Sequence, residues 1–195
     1  YDSNSSDWTL KGEIVHGGQN SNALGLCVSV SSDGSIIALG SPRDSYTSSG
    51  NLNYAGNTRI YKWREFTQSD SDNSTYHYAN TSQNDTQTKP LIVTSNSDIS
   101  SSSGAAPVVG NSYWTQVGMD IDGIQENEHL GASVSLNDDG TVICIFSSLW
   151  HGTTVDKGRV SVYKYNSTSN SWTQYGDNIQ VYTYYNQTRQ FSDTN

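Results

Sequence analysis

An all-β chain built from two copies of one antiparallel unit is predicted by three features of these 195 residues. Trp8 to Ser41 lies over Trp114 to Ser147 without a gap at a constant offset of 106, and the match resumes at Gly56-Asn-Thr-Arg-Ile-Tyr-Lys-Trp against Gly158-Arg-Val-Ser-Val-Tyr-Lys-Tyr. Within each copy, bulky and small residues alternate with period two, as half-buried strands do. The chain carries 17 glycines, 33% hydrophobic and 15% charged residues, the profile of a turn-rich β domain. A unit repeated in this way cannot bury its faces alone, so its neighbours decide the fold.

The elements follow in order. In Leu24 to Val30, Leu26, Val28 and Val30 alternate with Gly25, Cys27 and Ser29; in the second copy Ala132, Val134 and Leu136 alternate with Gly131, Ser133 and Ser135. Each is a strand with one bulky face and one small face, and the small face lets another sheet come close. Ser32-Asp33-Gly34 and Asp138-Asp139-Gly140 then supply the positive φ of a tight hairpin, which makes Asp33 and Asp139 turn residues, not ligands. The returning strands, Ser35 to Ser41 and Thr141 to Ser147, are apolar on both faces and belong between layers. Third strands span Asn57 to Trp63 and Arg159 to Tyr165, with Ile60 and Val162 inward. Fourth strands are the Trp-Thr-Gln segments at Trp114 and Trp172, whose polar side suits a sheet edge. Four strands in a meander have the shape of a propeller blade.

This arrangement predicts nine or ten strands, with Leu26, Val28, Ile37, Leu39, Val134, Leu136, Ile143 and Ile145 buried. The chain reads as one β-repeat domain over 1–195: 8–63 with 114–118 as the first blade, 64–113 as a polar insertion, 130–176 as the second blade, and 177–195 as an aromatic tail. A third copy opens at Trp172-Thr-Gln-Tyr-Gly and breaks off, and Trp8 to Gly12 is a spare fourth strand ahead of the first blade. A closed propeller needs at least about four blades, so two propeller-like blades with extra terminal strands do not close on their own.

The patterns Trp-Thr-Gln-x-Gly-x-x-Ile-x-Gly from Trp114, Leu-Gly-x-Ser-Val-Ser-Leu-x-x-Asp-Gly-Thr from Leu130 and Gly-Arg-Val-x-Val-Tyr from Gly158 resemble the integrin-alpha-like (FG-GAP-like) β-propeller repeats of large secreted proteins. The resemblance covers most of the chain outside 64–113 and 177–195. It implies radially arranged blades and roles in adhesion or surface assembly, and it carries no reaction chemistry. Calcium-binding members of that family have an Asp-x-Asp-x-Asp-Gly run, which this chain lacks.

A formal charge of −9 argues against nucleic acid and anionic membrane surfaces, and no run approaches the ~18 apolar residues of a membrane span. The chain starts at Tyr1, so either a signal has been removed or the segment belongs to a longer protein. Asn-x-Ser/Thr acceptors stand at Asn4, Asn73, Asn80, Asn84, Asn166 and Asn186. Three of them cluster in the polar stretch 73–84, which points to an extracellular glycoprotein. Such a location favours a disulfide, and Cys27 with Cys144 is the one intramolecular pairing the chain allows; two free thiols acting as small core residues are the alternative.

Asp120, Asp122, Glu126 and Glu128 gather carboxylates in one loop, as hard cations favour. A solvated acidic loop is the preferred reading and a structural calcium site the lesser one; no other cofactor is expected. His16, His77, His129 and His151 show no metal-ligand spacing, and no catalytic motif is present, so the protein reads as not an enzyme. The expected function is structural: a subunit of a self-assembling extracellular fibre or surface layer, joined to further copies of itself by strand or edge contacts. Trp8 to Gly12, or the tail from Gln180 to Phe191 with Tyr182, Tyr184 and Tyr185, is expected to dock on another subunit as an added strand. A fragment of a larger adhesive or carbohydrate-binding propeller is the alternative.

Overall fold

The computed structural model describes residues 5–15, 23–47, 50–73, 92–93, 106–149 and 157–182. The chain is all-β, with two antiparallel sheets, one per repeat, stacked face to face. In the first, β1 (Cys27–Val30), β2 (Ile36–Ser41), β5 (Asn57–Glu65), β7 (Ser112–Gln116) and β6 (Ile92–Val93) lie side by side in that order, and β8 (Ile121–Asp122) pairs with the start of β5. The second runs β9 (Leu130–Leu136), β10 (Val142–Ser147), β11 (Lys157–Asn166), β12 (Ser171–Gln174), with β13 (Ile179–Tyr182) on the start of β11. A small hairpin, β3 (Tyr46–Thr47) with β4 (Gly50–Asn51), fills the loop before β5. Among the described residues the two blades do not close into a ring.

The sequence repeat is a structural repeat. Ile36 faces Lys62 across the first sheet, and its counterpart Val142 faces Lys164 across the second, with the same correspondence along the whole ladder. It extends further than the sequence pattern shows: β8 lies on Asn57 and Thr58 as β13 lies on Arg159 and Val160. Gln180 to Tyr182, the start of the segment expected to dock on another subunit, are therefore part of the molecule's own sheet.

Among the described residues thirteen strands replace the expected nine or ten; β3, β4 and β8 are two-residue pairings too short to show a period. Both Asp-Gly turns form, with Gly34 at φ 70° and Gly140 at φ 69°. In each, the aspartate accepts from the backbone N–H two residues on, Ser35 or Thr141, at 2.9 Å. A short helix, α1 (Gln68–Asn73), lies between β5 and β7. Asp70 builds its start by accepting from the backbone N–H and hydroxyl of Thr67 and from both terminal nitrogens of Arg64. The Thr67-x-x-Asp70 pair is a helix-start signal visible in the sequence.

The sheets meet through the small face of β1. Cys27 Sγ accepts from Val134 N at 3.2 Å, Ser29 Oγ accepts from Leu136 N at 2.9 Å, and the Ser32 N–H donates to Asp138 O at 2.9 Å. Gly40 permits this approach, since a Cβ there would strike the carbonyl of Gly131. Ile36, Ala38 and Ile60 of the first blade then bury against Leu130, Val134, Ile143 and Ile145 of the second, with Ile121 alongside. Each fully buried aliphatic side chain contributes about 1.5–3 kcal/mol, so this seam is the main source of stability.

Two expectations about burial fail. Leu26 and Val28 are exposed, because the bulky face of β1 looks away from the second blade. Ile37, Leu39 and Leu136 are half-buried. The expected edge strand β7 is covered by β6, so Thr115 and Gln116 are buried; among the described residues the fourth strand of the second blade is an edge.

Candidate functional site

The fourth-strand tryptophans carry a contact that strand pairing alone does not require. Trp114 Nε1 donates to the carbonyl of Lys11 at 2.8 Å, and Trp172 Nε1 donates to the carbonyl of Val117 at 2.8 Å. Lys11 and Val117 each stand three residues after the tryptophan of the preceding motif, and a glycine follows each. Those glycines, Gly12 and Gly118, have φ near +77° and +71°, and a Cβ on Gly118 would come within 2.8 Å of Trp172 Cδ1. Each tryptophan is thus seated on the motif before it. The first seat is reinforced by Lys11 Nζ, 5.4 Å from the Trp63 ring and 5.7 Å from Trp114, at the range of a cation–π contact.

This use of residues 8–12 corrects the expectation of a spare strand. The segment has no strand, and it holds Trp114 of its own chain. Trp8 itself is 80% exposed, and Leu10 is exposed beside it.

The acidic loop is only partly solvated, and two of its carboxylates serve separate arginine clusters. Glu128 is fully buried; it pairs with Arg159, accepts from the Ser147 hydroxyl at 2.9 Å, and accepts from the backbone N–H of Ile124 at 2.7 Å. Asp120 serves a second cluster, accepting from Arg59 Nε at 2.8 Å and Gln116 Nε2 at 2.6 Å. Burial alone would lower the Arg59 pKa, but Asp120 and Asp44 outweigh it and hold the guanidinium above its ordinary value. Asp122 is half-buried and Glu126 exposed. Among the described residues no group of three or more His, Cys, Asp or Glu side chains is placed to hold a metal ion. The arginines take the carboxylates because an unpaired charge cannot stay buried.

Cys27 and Cys144 are free thiols, which corrects the proposed bridge. Cys27 faces the seam between the blades, whereas Cys144 alternates with the buried Ile143 and Ile145 and so lies on the opposite face of the second sheet. Burial pushes the Cys144 thiol up from its ordinary pKa.

Asn166, at the end of β11, is exposed, and its Oδ1 accepts from the backbone N–H of Thr168 at 2.9 Å. Asn73 closes α1. Asn4, Asn80, Asn84, Asn186, Tyr184 and Tyr185 lie outside the described residues, as do His16, His77 and His151. Tyr182 ends β13. His129 has φ 56° and meets Tyr54 edge-on at 6.1 Å. Burial and then Arg43 push its pKa down.

A cleft of about 380 Å³ opens where the blades meet, lined by Met119, Asp122, Ile124, Tyr163 and Trp172 among others. No helix among the described residues is long and apolar enough to cross a membrane. No family model, curated protein or solved structure matches the chain. Fold and contacts together define an all-β protein of two stacked, propeller-like blades whose order is set by latches between successive repeats.

Asp33 and Asp70 couple stability to acid pH. Asp33 is held at about 2 by the Ser31 hydroxyl and then by Ser35, and Asp70 at about 2 chiefly by Arg64 and then by Thr67. Both values lie below the ordinary 3.8, so the unfolded chain binds more protons and this stabilisation is complete above pH 3.8. It is lost as pH falls from 3.8 towards 2. Urea midpoints should therefore drop across that window, and Asp70→Asn should flatten the drop. A wild-type midpoint constant from pH 5 to 2 would refute the assignment.

Proposed function

We propose that this protein is an extracellular structural glycoprotein, a subunit of a self-assembling fibre or surface layer, and that it performs no catalysis. The observation that carries this reading is the unfinished stack. Two blades complete each other along one seam, while the outward faces and the strand edges at β1 and β12 have no sheet beside them among the described residues. Open edges and apolar faces invite association. The strand-or-edge contacts expected from the sequence are narrowed accordingly: residues 8–12 and 179–182 already serve their own chain, whereas β1 and β12 are open among the described residues. The acceptor cluster Asn73, Asn80 and Asn84, the exposed Asn166 and the family resemblance support an exterior location.

A second reading, a piece of a larger adhesive or carbohydrate-binding propeller, is favoured by the cleft. Tyr163 and Trp172 could stack against a sugar ring while Asp122 accepts from its hydroxyls.

Native protein, purified from its source, tests the first reading by sedimentation and electron microscopy. Assemblies larger than the chain are expected, with a subunit mass above 21.3 kDa from glycans on at least one of Asn73, Asn80 and Asn84. A monodisperse monomer, or a subunit with all three asparagines bare, would remove it.

A further inference from the structure

Equivalent positions of the two repeats have opposite surroundings at the two ends of the stack. Val134 is 6% exposed, pressed against the first blade; its counterpart Val28 is 62% exposed, and Val30 beside it 58%. At the other end, Ile121 is 6% exposed between the sheets, while Ile179, which holds the same place in the second repeat, is 61% exposed. The molecule thus has two unlike outer faces. Its front is the bulky side of β1, with Leu26, Val28 and Val30. Its back is the small side of β9, with Ser133 and Ser135, continued by Val142, Cys144 and Phe146 of β10. Within the chain, the front of the second repeat sits on the back of the first, through Cys27 and Ser29.

We propose that a second copy of this chain seats the back of its second blade on the front of the first blade, repeating the internal seam between molecules. The inference rests on the self-assembling reading above and names the contact. The occupant follows from the seam itself: the surface that covers Val134 is a small-faced strand flanked by apolar residues, and among the described residues the chain displays another such surface, uncovered, at its far end. Small residues lie opposite bulky ones in both cases.

The intermolecular seam is not an identical copy. Phe146 stands where Gly40 allows the backbone of Gly131 to come close, so the two molecules meet there through side chains. Exchangeable subunits follow from that weaker fit. In register, Tyr175 and Gly176 of the incoming copy also reach the seat that Lys11 and Gly12 provide for Trp114. Both segments carry the Trp-Thr-x-x-Gly motif, so residues 8–12 give way. A front-to-back contact is heterologous: it closes only if the rotation per blade allows, and otherwise extends as a filament. Two copies supply four blades, about the fewest that close a propeller.

Sedimentation velocity across a range of concentrations tests this with three forms of the full chain. Val28→Asp with Val30→Asp spoils the front, and Ser135→Arg spoils the back; all three positions are solvent-exposed, so unfolding midpoints should match wild type. Each variant alone should associate more than about a hundredfold more weakly, because an unpaired charge would be buried in every contact. An equimolar mixture of the two should form dimers and nothing larger, since one intact front meets one intact back. Deleting residues 1–12 should leave assembly in place. Wild-type-like assembly by either variant, or a mixture without dimers, overturns the front-to-back contact while self-assembly stands. Loss of assembly by the folded truncated chain assigns the contact to strand donation and likewise overturns it. A wild-type chain monomeric at all concentrations removes both this inference and the reading beneath it.

Discussion

Glu128→Ala should lower stability by about 3–5 kcal/mol, measured as a fall in the urea midpoint at unchanged slope. Glu128 is fully buried, and its partner Arg159 is 3% exposed. Removing the carboxylate takes the Glu128 charge away from a buried guanidinium, and strands the backbone N–H of Ile124 and the Ser147 hydroxyl that donate to it. The loss comes from a buried charge with less compensation and not from the pair's net worth. Replacing both partners together, Glu128→Leu with Arg159→Met, should therefore recover most of it. If the double replacement is as unstable as the single one, the ion pair is itself a strong stabiliser and this account is wrong.

Ile145→Ala should cost about 2–5 kcal/mol, since the side chain is fully buried and the opposing blade, held by Gly40 against Gly131, cannot collapse into the space. Val28→Ala should change the stability of the single chain by less than about 0.5 kcal/mol, because its side chain is exposed. Thermal or urea unfolding of dilute protein reads both. Near-equal losses would mean that the two ends of the stack are equally covered, contrary to the arrangement described.

How much of this was legible in the residues differs between elements for physical reasons. The Asp-Gly hairpins and the ladders they join were readable, because turn chemistry and period-two alternation are local. Burial of Val28 was not. Val28 and Val134 have the same residue type in the same pattern, and only the presence of a neighbouring sheet separates them. That Trp114 and Trp172 mark fourth strands was visible, but not that each rests on the motif before it. The signal was the glycine four residues after each tryptophan, which marks close approach by another group. The Glu128–Arg159 pair was missed because Glu128 stands in sequence with Asp120, Asp122 and Glu126, which together read as one acidic loop. An arginine at position 159, where the first repeat has Asn57, on a strand otherwise packed inward, was the available clue: a buried guanidinium requires a carboxylate. The pairing of β13 escaped because its counterpart β8 is two residues long.

The tryptophan latch bears on how such a protein grows in number of repeats. Because Trp114 rests on the preceding motif and supplies, three and four residues on, the carbonyl and glycine that seat Trp172, one stretch of coding sequence encodes both plug and socket. Tandem duplication of that stretch in frame, cut at any pair of equivalent points, adds a repeat that already fits at both junctions. Copy number is then free to drift without fresh mutation at the joints, and size becomes something that selection can adjust by recombination alone.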